Sequence, residues 1–246
     1  MKKTVIPSLF ALVALWAGWT IAYFAVENEY IVPSFFATIK EFGRLFANGA
    51  FYASLGRTLL RLGIAFLISL LLGISLALLS YCVKGVRAFL APIVSVLRTV
   101  PTMAVILILL IWTTPAFAPV VVTVLVLFPA LYSAALSALD GVGEYELLAK
   151  VYRVPLKKRI VKMYLPISAP ALFGQVGAIL SMGLKITVSA EVLCKTYHSL
   201  GGMMSEAQSF VEMPELMALT LAFVLVGFLL EGACALVMKF CVRWRQ

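Results

Sequence analysis

Four charged residues interrupt long apolar stretches of this 246-residue sequence, namely Arg98, Lys185, Glu191 and Glu231. Lys185 could attract an anionic solute, or it could pair with Glu231 of another apolar stretch. Glu191 lies near the end of its stretch, where it could reach water or pair with Lys195 at the helical i+4 position. Charges in such places could also relay ions. The residue types alone leave these possibilities open.

The residues that enzymes commonly use for catalysis form no recognisable pattern here. His198 is the only histidine, and its neighbour Ser199 does not lie in a GxSxG turn. The sequence contains no GxxxxGK[ST] loop that could bind phosphate. Four cysteines occur without CxxC spacing, and they are Cys82, Cys194, Cys234 and Cys241. We therefore expect no enzymatic activity, no metal site and no cofactor.

The composition is that of a membrane protein. Hydrophobic residues make up 63% of the chain, charged residues only 13%, and the mean hydropathy is +1.06. A soluble domain is about half apolar and about a quarter charged, so this chain has too few polar residues to cover a surface that faces water. The net charge of +9 fits basic residues at the cytoplasmic ends of membrane helices. It gives no indication of a nucleic-acid-binding surface.

Six apolar segments are long enough to cross a bilayer, which takes about 20 residues in a helix. Lipid cannot satisfy open backbone groups, and these segments are too long for barrel strands. The sequence therefore predicts an all-α, polytopic membrane protein with one domain over residues 1–246. The length of the first segment favours an uncleaved helix over a signal peptide. The predicted spans are about 4–26, 58–82, 89–112, 117–139, 168–193 and 215–241, with Pro92 and Pro101 inside the third.

Basic residues in the short connections predict the orientation. Lysine and arginine cluster before the first span, after the second, between the fourth and fifth, and after the sixth. With six spans all of these sites lie on one side, which the positive-inside rule makes cytoplasmic. We therefore expect a multi-pass membrane protein with both termini in the cytoplasm. The loop 27–57 then lies outside, with a short interfacial helix around Phe35 to Phe46.

The segment 140–165, called the basic segment below, carries six basic residues. Apolar residues still recur in it at helical spacing, Pro155 divides it and Pro166 follows it. The pattern predicts two short amphipathic helices that meet at Pro155, a break at Pro166, and a membrane helix that begins near Pro170. The cations could contact anionic membrane lipid, or the apolar face could bind in a groove of a cytoplasmic partner.

The basic segment resembles the docking loop of the permease subunits of ATP-binding-cassette (ABC) importers, in the sulfonate, taurine and nitrate branch. That family carries E-A-A-x-x-x-G and then Leu-Pro, which Leu165-Pro166 matches. In this register Ala149 is the second alanine, whereas Leu147 replaces the glutamate and Arg153 the glycine. Arginine lacks the backbone freedom that glycine offers in a turn. The residues that the resemblance assigns to ATPase docking are Leu147, Leu148, Ala149, Val151, Tyr152, Arg153 and Leu156.

Other stretches carry the same resemblance, in the family's order, over about residues 30–246. They are VPS, TLLRLGIAFLISLLLG, VLRTVPTMA, SAEVL and SLGGMMSEAQ. The second is similar to the family's second helix, the third to its LRxxPxxA segment, and the last two to its AE…GxGxxxxxA stretch. The residues in register are Arg61, Phe66, Gly73, Glu191, Gly202 and Ala207.

The resemblance implies the fold of a type I ABC importer permease, which is a transport subunit and not an enzyme. ATP hydrolysis would take place on a separate chain. The implied partners are cytoplasmic ABC ATPase subunits, an extracytoplasmic solute-binding protein and a second copy of the permease. The fifth span would line the pathway near the dimer axis, where Gly174, Gly177 and Gly183 allow close packing. The candidate pathway residues are Arg98, Ser181, Lys185 and Glu191.

The implied substrate is a small solute, either an organic or inorganic anion of the sulfonate, taurine or nitrate kind or a vitamin precursor. The alternative is an ion-gradient-driven secondary carrier that works without an ATPase and uses Lys185, Glu191 and Glu231 as an ion relay. Many such carriers have inverted repeats with broken helices at equivalent positions, and the sequence shows no such halves. An intramembrane hydrolase would need a catalytic constellation that the sequence lacks.

Overall fold

The computed structural model describes residues 2–241, apart from the side chains of residues 2–9, 11, 12, 144, 147, 240 and 241. Within this range the chain is helical and contains no β-strand. The helices are α1 Lys2–Val26, α2 Phe35–Ala47, α3 Gly49–Cys82, α4 Lys84–Thr99, α5 Thr102–Trp112, α6 Ala118–Asp140, α7 Gly143–Val151, α8 Leu156–Arg159, a π-helical turn Ile160–Tyr164, α9 Leu165–Leu193, α10 Leu200–Ser209 and α11 Met213–Cys241.

The described residues contain four or five candidate membrane spans, where the sequence predicts six. Four stretches of helix in the described range are long and apolar enough to cross a bilayer, namely Gly49–Cys82, Ala118–Asp140, Leu156–Leu193 and Met213–Lys239. The pair α4 and α5 gives a fifth if the two cross as one unit. In α1 the residues with described side chains include the shorter apolar helix Val13–Val26. The all-α membrane fold is confirmed, but a count of six spans is not.

The third predicted span is a sharply bent pair of helices. The axes of α4 and α5 differ by 93°, so the prediction of one helix over 89–112 is wrong. The bend lies at Pro101. The residue before a proline is pushed out of the helical region, and Val100 has an extended backbone with φ −65° and ψ 128°. Pro92 lies within α4 and does not end it.

The short interfacial helix expected around Phe35 to Phe46 is present as α2, but the next helix begins earlier than predicted. Asn48 separates the two, and its side-chain oxygen accepts a hydrogen bond from Ala50 N at 2.9 Å. This cap satisfies one of the free N–H groups of the first turn. As a result α3 begins at Gly49, and residues expected to lie in a loop belong to its first two turns.

The basic segment forms one separate helix rather than two. Helix α7 ends before Pro155, as predicted, but α8 continues through the π-helical turn into α9 without a break. In the π turn the N–H of Leu165 donates to Ile160 O, five residues back, and this wider turn precedes Pro166. A proline within a spanning helix is tolerated where a local π adjustment satisfies the freed backbone groups. The predicted break at Pro166 is therefore wrong.

The centre of the protein consists of α3, α6 and α9. Small residues allow these helices to approach each other closely. A Cβ atom added to Gly73 would lie 3.0 Å from Tyr132 N, and one added to Gly183 would lie 2.9 Å from side-chain atoms of Leu62 and Leu127. Such close contact between spanning helices is favoured where side chains are absent. The packing holds α9 centrally against α3 and α6.

Hydrogen bonds place the connecting segments at two ends of this bundle. At one end, the basic end, Tyr81 Oη donates to Glu146 and Arg87 donates to Asp140. At the opposite end Thr196 Oγ1 donates to Pro115 O at 2.7 Å. The basic segment therefore lies at the far end of the bundle from the loop that precedes α10.

Candidate functional site

The basic end presents apolar side chains to solvent. Leu148, Val151 and Tyr152 of α7 and its C-terminal turn are 58%, 71% and 78% exposed, and Leu156 at the start of α8 is 48% exposed. Ala149 is buried against the bundle. A soluble surface rarely exposes a contiguous apolar patch unless a partner covers it. All five residues are among those that the family resemblance assigns to ATPase docking. The side chain of Leu147, which belongs to the same set, is not described.

Arg153 closes the end of α7 in a conformation that favours glycine. The N–H of Arg153 donates to Lys150 O, and that of Val154 donates to Ala149 O. These two bonds form a Schellman motif, in which the residue after the cap has a left-handed backbone. Arg153 has φ 49°. Its position is the one that the family pattern gives to glycine, so the helix keeps the turn although the glycine has been replaced.

A hydrogen bond joins α7 to a spanning helix, and an ion pair within α7 holds the carboxylate that accepts it. Tyr81 Oη, near the end of α3, donates to Glu146 Oε2 at 2.9 Å, and Lys150 Nζ lies 2.7 Å from Glu146 Oε1. The hydrogen bond from Lys150 lowers the pKa of the Glu146 carboxyl, and the hydrogen bond from Tyr81 also lowers it. Arg87 and Asp140 add a pair of 3.0 Å hydrogen bonds where the basic segment begins.

The most deeply buried charge is the carboxylate of Glu191, which is 0% exposed. Thr58 Oγ1 lies 2.8 Å from Oε2, Arg61 Nη1 donates to Oε1 at 2.9 Å, and Gly201 N donates to Oε2 at 3.2 Å. The alternatives of contact with water and of a pair with Lys195 are therefore wrong, and Lys195 is exposed. Buried charge is tolerated when it is paired and hydrogen-bonded.

The donors to Glu191 come from three parts of the chain. Thr58 and Arg61 share a face of α3 one turn apart, and Gly201 lies in the first turn of α10, where a negative charge is favoured. The turn leaves no room for side chains. A Cβ on Gly201 would lie 2.5 Å from Glu191 Cβ, and one on Gly202 would lie 2.0 Å from Thr196 O. The sequence signalled Arg61, Glu191 and Gly202 separately, but not Thr58 or Gly201.

Ser199 has a structural role. Its hydroxyl donates to Thr196 O at 2.7 Å and accepts from Gly202 N at 2.9 Å, which caps α10. His198 is exposed and has φ 50°. The hydroxyl is buried and both of its bonds are to backbone groups, so it is not arranged as a nucleophile next to His198.

One face of α9 is not covered by other helices in the described chain. Gly174, Ala178, Lys185 and Ser189 are exposed on it, and we call these four residues the open face. Their spacing places them on one side of a helix. Ser181, one turn before Lys185, has a buried hydroxyl that makes no hydrogen bond with any described residue.

Lys185 and Glu231 do not pair within the protein. Glu231 lies level with Gly177, since its Cα is 4.0 Å from the position of a Cβ on that glycine. Lys185 is about two helical turns further along α9. The salt bridges of the described residues do not include either side chain. Glu231 instead lines a groove of about 300 Å³ together with Gly174 and Ala178 of the open face.

Arg98 lies away from the open face. It is exposed at the end of α4, and its guanidinium lies 3.4 Å from Pro129 O of α6. The four candidate pathway residues therefore occupy three separate places. Ser181 and Lys185 lie together on α9, Glu191 is enclosed by its donors, and Arg98 lies between α4 and α6.

Comparison with known proteins agrees with these features. The family described as "Binding-protein-dependent transport system inner membrane component" matches residues 69–241. The chain is 23% identical over 251 residues to the "Putative aliphatic sulfonates transport permease protein" of Bacillus subtilis (strain 168), with 100% of this chain and 88% of that protein covered.

The fold is also similar to that of a solved ABC transporter. A chain from the inward-facing conformations of the MetNI methionine ABC transporter has a TM-score of 0.68 at 12% identity, with 77% of this chain and 95% of that chain covered. At this identity the likeness shows the fold alone, and it is the fold of an ABC importer permease. The match over residues 69–241 shows that this chain belongs to the family of binding-protein-dependent transport system inner membrane components, which are multi-pass permease subunits of ABC importers and not enzymes, the ATPase being a separate chain.

Proposed function

We propose that two copies of this chain form a pathway for a small anion across the inner membrane. ABC ATPase subunits bind the basic end, and a solute-binding protein binds the opposite end. The basic end then lies in the cytoplasm, together with both termini. The exposed lysines of the basic segment, Lys157, Lys158 and Lys162, contact anionic lipid headgroups at the inner surface.

The observation that carries this proposal is the charge on the open face of α9. Lys185 is exposed within a stretch that spans the membrane, and a cation in contact with lipid there costs about 2.5–3.5 kcal/mol or more. Glu231 of α11 is exposed on the adjoining groove. Both charges are accounted for if a second copy and a water-filled pathway cover this side of the protein.

The chemistry of the open face favours an anion. Lys185 has no carboxylate within 4.0 Å among the described side chains, so its charge is available to a solute. The Ser181 hydroxyl, one turn before Lys185, is buried and has no hydrogen-bond partner among the described residues. An aliphatic sulfonate is the first solute to test because the B. subtilis relative is named for it. Taurine, nitrate and vitamin precursors are the other classes to compare.

The two ends offer different surfaces to the two partners. At the basic end, the exposed apolar residues of α7 fit a groove on a folded partner. At the opposite end, Lys195, Tyr197, His198 and Glu206 line a cleft of about 520 Å³. Tyr197 is 86% exposed, and an exposed aromatic ring of this kind is typical of binding surfaces.

The secondary-carrier alternative is not favoured. An ion relay through Lys185, Glu191 and Glu231 requires carboxylates that can exchange ions. Glu191 is fixed by Thr58, Arg61 and Gly201 and is fully enclosed, while Glu231 and Lys185 lie apart on the open side. The three groups therefore do not form a connected path.

The test uses reciprocal variants of the purified permease with its ATPase and binding protein. The triple variant Leu148→Asp, Val151→Asp and Tyr152→Asp is expected to lose the ATPase and keep the binding protein, because charge is placed on the docking face only. Tyr197→Asp is expected to show the opposite loss. Uptake into proteoliposomes should require internal ATP. Uptake driven by an ion gradient without ATP, or an ATPase retained by the triple variant, would contradict the proposal.

A further inference from the structure

Tyr81 contacts both sides of the basic segment. Its hydroxyl donates to Glu146 of α7 at 2.9 Å. Its ring packs edge-on against that of Tyr164, with 5.2 Å between ring centroids and 80° between planes. Tyr164 ends the π-helical turn that leads into α9 and is 2% exposed. One residue of α3 therefore contacts the helix before Pro155 and the turn after it.

The hydrogen bond from Tyr81 links a side chain of α7 to a spanning helix. Among the described side chains of α7, it is the only hydrogen bond to a spanning helix. Arg87 and Asp140 form their contact before α7 begins. The exposed residues of α7 face away from the bundle, so a force applied to them reaches the spans through the α7 backbone, its buried Ala149, and Glu146.

Helix α3 connects this bond to the opposite end of the protein. Tyr81 lies near one end of α3, and Arg61 lies on the same helix about 30 Å away at 1.5 Å per residue. Arg61 and Thr58 bind Glu191 of α9. Displacement of α3 along its axis therefore acts on α9 at both of its ends, through Tyr164 and through Glu191.

We propose that Tyr81 is a positioning residue that transmits the movement of the docked ATPase from α7 to α3 and α9 through its bond to Glu146. The inference rests on the proposed function, because it assumes that an ATPase binds α7. The π-helical turn that ends at Tyr164 fits this role, since such turns are common at functional sites. Coupling of this kind has to be measured rather than read from proximity.

The experiment follows hydrogen exchange in the complex of permease and ATPase, with and without ATP and Mg²⁺. In the wild type, the ATPase protects residues 143–151, and ATP changes exchange in residues 194–209 at the opposite end. Tyr81→Phe keeps the ring contact with Tyr164 and removes only the bond to Glu146. We expect it to keep the protection of α7 within about twofold and to reduce the ATP-dependent change about tenfold, the effect of losing a hydrogen bond to a charged group.

Tyr132→Phe is the matched control. Tyr132 Oη bonds Ser80 Oγ at 2.9 Å, next to Tyr81, but joins α6 to α3 without involving α7. This variant is expected to keep the ATP-dependent change. Glu146→Ala should reproduce Tyr81→Phe, and the double variant should be no worse than either. Glu146→Gln retains an acceptor for Tyr81 and should therefore lose less of the ATP-dependent change in hydrogen exchange.

Each failure has a separate meaning. If Tyr81→Phe shows the full ATP-dependent change, or if Tyr132→Phe loses it equally, the inference about Tyr81 is overturned while the proposed function stands. Additive losses in the double variant also overturn the inference. If the wild-type permease does not bind an ATPase at all, the proposed function fails, and this inference fails with it.

Discussion

Arg61 and Glu191 lie 130 positions apart in the sequence and form a 2.9 Å salt bridge that joins α3 to α9. The Glu191 side chain is fully buried, whereas the Arg61 side chain is 14% exposed. The two partners are therefore unequally buried, and this asymmetry affects what each substitution leaves behind. Loss of the arginine leaves a buried charge without its ionic partner, but loss of the carboxylate charge leaves a guanidinium that still reaches solvent.

This asymmetry predicts unequal costs for the two substitutions. Arg61→Met is expected to lower the free energy of unfolding by about 3–5 kcal/mol, because removing one partner strands a buried charge. Glu191→Gln keeps the hydrogen bonds to Thr58 and Gly201 and should cost less. Unfolding in mixed detergent micelles measures both. Equal losses would show that the pair is not the main support of the Glu191 carboxylate.

Gly202 is predicted to tolerate no side chain. A Cβ there would lie 2.0 Å from the backbone oxygen of Thr196, and overpacking of this kind costs about 1–3 kcal/mol or more. Gly202→Ala should therefore destabilise the protein. The control is Gly56→Ala in α3, where no atom lies within 4 Å of the added carbon. That change should stabilise by about 0.5–1 kcal/mol, the difference in helix propensity. If Gly56→Ala destabilised the protein more than Gly202→Ala, the packing argument would be refuted.

Arg153→Gly is predicted to strengthen the end of α7. A left-handed backbone costs a non-glycine residue about 1–2 kcal/mol, and glycine loses part of this gain through its larger unfolded entropy. We expect a net stabilisation of about 1 kcal/mol, seen as slower hydrogen exchange at the N–H of Val154. Arg153→Ala removes the charge and keeps the strain, so it should show no such gain. Equal slowing by alanine would mean that charge, not conformation, limits the turn.

The bond between Tyr81 and Glu146 is predicted to depend on pH. The pKa of Glu146 is lowered by Lys150, by Tyr81 and by the nearby charge of Arg159. A lowered pKa in the folded protein means that the stabilisation is complete above the unfolded value of about 4.3, and is lost as the pH falls through the folded value. In the permease without its ATPase, exchange in α7, corrected for its intrinsic pH dependence, should rise only in that acidic range.

The control for the pH experiment is Glu146→Gln, which cannot titrate. Its protection of α7 should be lower at neutral pH and unchanged on acidification. A loss of protection with the same midpoint in both proteins would assign the titration to another group and contradict the prediction.

Lys185 is predicted to face water rather than lipid. In a protein whose native cysteines are replaced, Lys185→Cys should react with a charged, membrane-impermeant thiol reagent. Leu229→Cys is the matched control, because Leu229 is also exposed on a span but lies in an apolar stretch of α11. It should react at least about tenfold more slowly, since thiolate formation and reagent access both require water. Comparable rates at the two positions would contradict the pathway assignment.

The composition and the periodicity of the sequence determined the class of this protein. Long apolar runs can be satisfied in lipid only as helices, so the all-α membrane fold followed from the sequence alone. The short helix α2 and the end of α7 before Pro155 were also predictable, because capping and proline act over a few residues. The resemblance carried by the basic segment and its companion stretches identified the family that residues 69–241 match.

Only the tertiary structure decided which distant residues meet. The bend of 93° between α4 and α5 and the unbroken helix through Pro166 depend on how neighbouring helices and a π turn accommodate each proline, which local preference does not fix. The partner of Glu191 is Arg61 and not Lys195, because burial makes the carboxylate take whichever donors the packing of α3 and α10 brings to it. Tyr81 gave no signal in the sequence, since its contact with Glu146 joins residues 65 positions apart.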